Sequence, residues 1–303
     1  MGYGGFLIYS GLIRNAQKAY PEKKIVVVYP ARLIDILKHK KSDAEIIFKN
    51  NPRVHKIFSH LTWKIIKPLY TSKKFLVLNL CEEKFNHHVR STSEKIEYRT
   101  GAHAIQFACN PLGIKSAELE PEIYLEAGEL SKVSNIIKQH GIIPKKYICI
   151  ESGSKTEFTP NKAWFEDYWL ELVALLNQHL KVIDSDIKIV QIGTLNTPKL
   201  EGTIYLNGQL SFRETGAILK DTLFFISYIG GLTHLARAVQ TKNLVIKSAW
   251  EPKELTYYPG DIDFYTDIKC KHCGLLQPCP VNRECMREIK PKEVFDSCLQ
   301  LLK

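Results

Sequence analysis

The stretch Leu223-Phe-Phe-Ile-Ser-Tyr-Ile-Gly-Gly-Leu-Thr-His-Leu-Ala-Arg-Ala-Val239, followed by Asn243-Leu-Val-Ile-Lys247, decides the fold class. Residues 223–227 form a short aromatic and β-branched run, the pattern of a buried strand. Two glycines interrupt it, and residues 232–239 then repeat apolar side chains at helical spacing. A second apolar run, 243–247, follows at once. A strand, a helix and a strand in such close succession predict a right-handed parallel crossover, and with it an α/β sheet.

The same rhythm extends outward from this core. Strands are expected at 147–151, 187–192 and 203–206, and helices at 164–180 and 212–219. The first half predicts strands at 24–29, 45–48, 55–58 and 75–80, with helices at 6–19, 31–38 and 102–110. Residues 112–125 read as a linker ending in a short strand, and a helix over 129–140 is stopped by Gly141 and Pro144. Two such series predict two Rossmann-like domains facing a cleft, residues 1–143 and 144–303. The glycine-rich turn Gly2-Tyr-Gly4-Gly5 and its helix normally follow a first strand, for which Met1 leaves no room. The expectation is that the chain begins late, because a sheet missing a central strand would expose apolar neighbours.

With 303 residues, 45% of them hydrophobic and 24% charged, the chain has enough apolar material for two cores, and a largely disordered state is excluded. A net charge of +10 favours an anionic partner. No dense basic tract supports nucleic acid, so an anionic membrane face or a phosphorylated ligand is preferred. No apolar run reaches the length of a membrane span and no leader pattern is present, which predicts a cytoplasmic protein. Cys81, Cys109, Cys149 and Cys298 lie in apolar segments and are expected to be buried.

Several groups of residues carry chemistry. In Ile229-Gly230-Gly231-Leu232-Thr233-His234, glycines allow close backbone approach, and the first-turn N–H groups of the helix attract phosphate. Thr233 and His234 could add donors, while the alternative is a turn whose glycines serve geometry alone. Ser152-Gly153-Ser154 follows a strand, at the edge where open α/β sheets bind ligands. Lys162 is placed to reach that edge with an ammonium suited to a diphosphate, or else is simply solvated. Gly193-Thr194 ends another strand at the same edge. Glu82 and His103, and less directly His87 and His88, could serve as base or acceptor contact from the first half, with surface or capping roles as the alternative. Cys270-Lys-His272-Cys273, Cys279 and Cys285 follow C-x2-C-x5-C-x5-C spacing, compatible with one tetrahedral ion, zinc or iron, or with uncomplexed thiols. Four thiolates would leave no open position, so such an ion would be structural; His272 could replace one ligand.

Taken in order, these residues resemble glycosyltransferase family 9, the heptosyltransferase-like enzymes. The resemblance runs through Ala19-Tyr-Pro21, Asn51-Pro-Arg-Val54, Ser152-Gly-Ser154 with Lys162-Ala-Trp164, Gly231-Leu-Thr-His234-Leu-Ala236, and Cys285-Met-Arg-Glu-Ile289-Lys-Pro291. It implies a GT-B fold with the final helix crossing back toward the first domain. It also implies inverting transfer of a heptose-like sugar from a nucleotide-diphospho-sugar, typically ADP-heptose, to a surface-glycan or glycolipid acceptor. No catalytic metal is implied; Ser152, Ser154, Lys162, Gly193 and Gly230 to His234 would hold the donor. Nucleic acid would not be a partner, and peripheral contact with the inner membrane face would be. The chain departs from the family pattern at Gly5, at Ile229-Gly230 and after Gly193, each a place where an acidic residue is usual. Glu82 or His103 would then supply the base, and the rival reading is a catalytically silent nucleotide-sugar or glycan binder.

Overall fold

The computed structural model describes residues 2–86, 89–98, 101–153 and 159–302. The chain divides into two compact units, Met1–Arg90 with Arg99–Tyr124, and Ser91–Tyr98 with Leu125–Lys303.

In the first unit, α1 (Tyr3–Ala19) leads into β1 (Lys24–Tyr29), α2 (Leu33–Leu37), α3 (Asp43–Ile47), β2 (Val54–Ser59), α4 (His60–Ile66), β3 (Phe75–Asn79), α5 (Glu83–Asn86) and, after an excursion, α6 (Ala104–Cys109). The strands run parallel in the order β2-β1-β3. Ile25 to Val28 are fully buried because β1 is hydrogen-bonded on both sides. Strand β1 is thus the central strand of this three-stranded sheet. Helix α1 lies close to α6: a Cβ at Gly11 would stand 2.6 Å from Ile105 Cδ1.

Two expectations fail in this unit for local reasons. Residues 45–47 lie in helix α3 and Phe48 caps it, so 45–48 form no strand. The Ser42 hydroxyl accepts from Glu45 N (3.2 Å), while the Glu45 carboxylate accepts from Ser42 N (2.8 Å). That reciprocal capping outweighs the β-propensity of Ile46 and Ile47. The segment 112–125 ends in irregular chain because side chains satisfy its backbone. Glu122 N donates to Ser10 Oγ, and the buried Glu122 carboxylate accepts from Asn51 Nδ2 (3.0 Å) and Arg53 Nε (3.1 Å). The Asn51-Pro-Arg53 motif is thus a clamp on this segment.

The hairpin strands β4 (Val89–Ser91) and β5 (Ile96–Tyr98) precede the elements of the second unit. Those are α7 (Ala127–Gln139), β6 (Tyr147–Glu151), α8 (Glu166–Val182), β7 (Lys188–Gln191), β8 (Ile204–Tyr205), α9 (Phe212–Lys220), β9 (Phe225–Tyr228), α10 (Gly231–Ala238), β10 (Asn243–Lys247), β11 (Ile262–Tyr265), α11 (Glu284–Arg287) and α12 (Pro291–Leu301). Six strands run parallel in the order β11-β10-β9-β6-β7-β8, the doubly wound arrangement. Sequence reading misses β11 because Asp263 interrupts its apolar pattern; that carboxylate is held by the buried Lys247 at 2.6 Å.

The division after Tyr124 assigns α7 to this unit, not to the N-terminal half. Arg213 donates from Nε and Nη2 to Glu129 at 2.6 and 3.0 Å, and Lys132 pairs with Glu214 at 2.8 Å, fastening α7 to α9. The final helix, expected to cross toward the first unit, instead shares a core with α8. Val294, Phe295 and Cys298 pack in one cluster with Trp169, Leu172 and Leu176. Cys109, Cys149 and Cys298 are buried as expected, but Cys81 is exposed, at the turn after β3. Among the described residues no helix is long and apolar enough to cross a membrane.

Candidate functional site

Neighbouring β6 and β9 send their chains away in opposite directions, so a crevice opens beyond their carboxyl ends, where such sheets take ligands. Strand β6 delivers Glu151 and Ser152 to this edge, and β9 delivers Gly230 to His234 through the start of α10. Strand β10 adds Trp250 and Glu251. The 3-10 turn Pro160–Lys162 brings in Lys162. The candidates from one half of the sequence thus gather at one sheet edge.

Glu251, which sequence reading passed over, organises the cationic side. Its buried carboxylate accepts from Lys162 Nζ at 2.5 Å and from Thr256 Oγ1 at 3.0 Å. Burial would raise the Glu251 carboxyl, but the charge and hydrogen bond of Lys162, with help from Thr256 and Lys247, hold it below its usual value. The Lys162 ammonium also lies 4.3 Å from the centre of the Trp250 ring. Lys162 is therefore a fixed cation at the edge and not a solvated one. A buried acid shows no periodic signal, so only the fold could bring it to notice.

His234 lies in the same neighbourhood, since the charges of Glu251 and Lys162 both act on it. Its Nδ1 is 2.7 Å from the Tyr258 hydroxyl. Burial, the largest cause, lowers its pKa from 6.5 to about 4, so the imidazole is neutral at pH 7 and serves as a hydrogen-bonding group. Between those two values the folded chain binds fewer protons than the unfolded chain, so His234 contributes stability above pH 6.5 that is lost as pH falls toward 4. Denaturant midpoints at pH 7 and pH 4.5 should differ less for His234→Asn than for the parent, by roughly 1–3 kcal/mol of stability.

The remaining donor-side residues divide by role. Thr233 Oγ1 donates to Tyr228 O at 3.0 Å and accepts from Gly230 N at 3.3 Å, so this hydroxyl closes the turn and is not aimed outward. The first-turn N–H groups of α10, beginning at Gly231 and Leu232, supply the positive end of a helix. Ser152 Oγ accepts from Gln191 Nε2 at 3.0 Å, leaving its proton to donate. Gly193 adopts φ +140°, a region that strains other residues; a Cβ there would stand 3.7 Å from Glu151 Cγ. Glu151 itself, buried and near the Tyr228 hydroxyl at 3.4 Å, is a second acid that sequence reading did not single out. Ser154 lies outside the described residues, as do His87 and His88.

In the first unit, Glu82 and His103 have different surroundings. Glu82 is exposed beyond the carboxyl end of β3, accepting from Asn79 Nδ2 (3.1 Å) and paired with Lys84 (2.7 Å). His103 is buried, and its Nδ1 accepts from Ile105 N at 3.1 Å, capping α6. Neither belongs to the N-terminal turn, but another carboxylate lies beside it. Asp43 hydrogen-bonds Tyr3, and its Oδ2 lies 4.0 Å from where a Gly2 Cβ would stand. Asp43 lines a cavity of about 830 Å³ with Tyr29 and Lys41 at the carboxyl edge of β1 and β2. The signal for it was the Ser42-Asp-Ala-Glu45 capping pattern, obscured by the strand reading of 45–48.

The four cysteines are brought together. Cys270, Cys273, Cys279 and Cys285 line one small cavity of about 20 Å³. Burial raises the Cys273 and Cys285 thiols above their usual value, and neighbouring cysteines add to the effect. Among the described residues no group of three or more His, Cys, Asp or Glu is already arranged to hold a metal ion, so the thiols are neighbours without being a formed tetrahedron. Backbone and side chain tie the loop to the sheet edge. Asn161 donates to Leu275 O and Gln277 O (2.9 and 2.7 Å) and accepts from Cys279 N (2.9 Å), and Trp250 Nε1 donates to Leu275 O (2.7 Å). The loop therefore holds the residue before Lys162 and the ring beneath its ammonium.

Residues 78–263 match the sequence profile described as glycosyltransferase family 9 (heptosyltransferase). The chain belongs to glycosyltransferase family 9. By shape it is similar to a family 9 glycosyltransferase of Veillonella parvula at TM-score 0.70 and 15% identity, covering 100% of this chain and 94% of that one. It is likewise similar to ADP-heptose lipopolysaccharide heptosyltransferase II of E. coli, at 0.60 and 16%, covering 100% and 96%. A third is the dodecameric iron-containing heptosyltransferase TibC of enterotoxigenic E. coli, solved with ADP-D-β-D-heptose, at 0.55 and 15%, covering 93% and 77%. Compared by sequence with curated proteins, the chain has no match. The α/β GT-B fold follows from these likenesses, and family and neighbours together support a glycosyltransferase of the heptosyltransferase type.

Proposed function

We propose that this family 9 member transfers a heptose-like sugar, with inversion, from a nucleotide-diphospho-sugar to a hydroxyl of a surface-glycan or glycolipid acceptor. The observation that carries the reading is the convergence of Lys162, Ser152 and the start of α10 on the β6–β9 crevice. An ammonium, a hydroxyl and a helix N-terminus at one edge form a site for a diphosphate. The relatives' donors, ADP-heptose among them, agree with that chemistry. In the reaction the acceptor oxygen bonds to the anomeric carbon on the face opposite the leaving group. The bond from that carbon to the diphosphate oxygen breaks, its electron pair leaves with the nucleoside diphosphate, and the acceptor proton passes to a base. Lys162 and the α10 N–H groups stabilise the charge that develops on the diphosphate. Neutral His234 can hydrogen-bond a phosphate or ribose oxygen.

The four cysteines would hold a structural zinc or iron ion, which closes the loop and leaves no open position for chemistry. Their shared cavity fits that role, and the iron reported for TibC is consistent with it. For the base, Glu82 is accessible at a sheet edge while His103 Nδ1 is occupied as a cap. Incubation with a panel of nucleotide-diphospho-sugars and glycan acceptors should give acceptor-dependent release of nucleoside diphosphate. Glu82→Gln should lower that rate about 10²–10⁴-fold, and His103→Asn, which keeps a capping oxygen, should change it little. Full activity in Glu82→Gln would remove Glu82 as base. Donor binding without turnover under any acceptor would establish the silent binder instead.

A further inference from the structure

The imidazole of His234 and the phenol of Tyr258 hold each other inside the second unit. His234 lies one turn into α10, and Tyr258 follows the 3-10 turn Lys253–Thr256 on the way from β10 to β11. Tyr258 is fully buried and His234 is 6% exposed. Their rings meet edge to face, with centroids 5.7 Å apart at 85°, and Nδ1 is 2.7 Å from the phenol oxygen. The Tyr258 main chain is fixed as well, its carbonyl accepting from Asp261 N at 3.1 Å. In a close-packed interior neither ring turns without disturbing the other.

A neutral imidazole carries one proton, on Nδ1 or on Nε2, and the hydrogen bond made by one nitrogen decides the state of the other. Here the partner of Nδ1 is a phenol. A phenol oxygen is a weak acceptor, because its lone pair is delocalised into the ring, while a bare imidazole nitrogen is a strong one. The favoured arrangement is therefore O–H donating to Nδ1, with the His234 proton on Nε2. Among the described residues Nε2 makes no hydrogen bond of its own, so this N–H is left for a ligand. The charges of Glu251 and Lys162 both act on the ring, which places it beside the cation of the β6–β9 crevice. There the tautomer decides the sign of the interaction with an anion. An Nε2–H attracts a phosphate oxygen, whereas a bare Nε2 turns a lone pair toward it and repels it.

We propose that Tyr258 is a positioning residue, whose hydroxyl locks His234 as the Nε2–H tautomer and so keeps a hydrogen-bond donor ready for an oxygen of the donor's diphosphate. The inference rests on the diphosphate reading of the crevice and adds the residue that sets the chemistry of His234 there. Tyr258 is too deeply buried to meet the donor and acts through His234.

Long-range 1H–15N NMR of histidine-labelled protein at pH 7, without ligand, reads the tautomer, the His234 signals being identified by their loss in His234→Gln. The parent should show Nε2–H alone. Tyr258→Phe, which keeps the ring and its packing, should show Nδ1–H as well. Calorimetric titration with ADP, GDP and UDP measures the consequence. For the nucleotide that the parent binds, Tyr258→Phe should weaken affinity about three- to tenfold, the worth of one hydrogen bond. His234→Gln keeps an N–H donor whatever Tyr258 does, so adding Tyr258→Phe to it should cost no further affinity. Nδ1–H in the parent, or a tautomer that ignores Tyr258→Phe, would overturn the proposal. So would an equal loss of affinity from Tyr258→Phe in the parent and in His234→Gln, the result of a merely structural tyrosine. A parent that binds none of the three nucleotides would overturn the donor reading, while the spectra would still decide whether Tyr258 sets the proton of His234.

Discussion

Lys162→Met should lower kcat/KM for donor turnover by about 10²–10³-fold, the loss seen when one charge-stabilising donor is removed from a transition state. The loss should fall mainly on kcat, because charge on the diphosphate grows as the bond to the sugar breaks. A second effect separates this site from an ordinary surface lysine. The Lys162 side chain is 19% exposed and that of Glu251 only 5%, so the substitution strands a buried carboxylate. Breaking such a pair costs about 3–5 kcal/mol, on the order of 10 °C in Tm. Lys162→Met with Glu251→Gln should regain most of that stability and none of the activity. If Lys162→Met keeps the parent's turnover, the diphosphate is not held at this edge. If it keeps the parent's Tm, the Lys162–Glu251 pair does not support the fold.

Cys273→Ser with Cys285→Ser should remove the proposed zinc or iron ion, lower Tm by several degrees, and weaken donor affinity about tenfold or more. The expectation follows from what the loop touches. Asn161 grips Leu275, Gln277 and Cys279, and Trp250 grips Leu275, so loosening the loop frees both neighbours of the Lys162 ammonium. A misplacement of about 1 Å in a positioned group is enough to cost 10²-fold in rate. Metal analysis, melting curves and donor titration read the three effects separately. A protein purified without zinc or iron, whose Tm ignores chelators and both substitutions, would leave the cysteines as plain thiols. An unchanged donor affinity despite lost metal would show that the loop does not support Lys162.

The two predictions are connected through a feature of the tail that spacing alone does not reveal. A C-x2-C-x5-C-x5-C segment suggests a clip, but nothing in it tells which part of the fold is clipped. Leu275 accepts hydrogen bonds from three side chains that come from two distant segments, Thr159 and Asn161 on one side and Trp250 on the other. The clip therefore stands directly behind the proposed phosphate site.

What the sequence determined by itself are the features set by local repetition. Apolar runs at strand length, helical spacing between them and glycines at strand ends identified the parallel α/β class and placed Ser152, Lys162, Gly193 and Gly230 to His234 at one sheet edge. Those signals are readable because period and turn chemistry act between near neighbours in the chain. Tertiary structure alone decided the rest. It gave α7 to the second unit, where Arg213 and Glu129 meet across 84 positions of sequence. It paired Lys162 with Glu251, 89 positions away. Buried acids and bases of this kind are stable only because folding brings an opposite charge into a place that water has left, and no local pattern in the chain records such a partner.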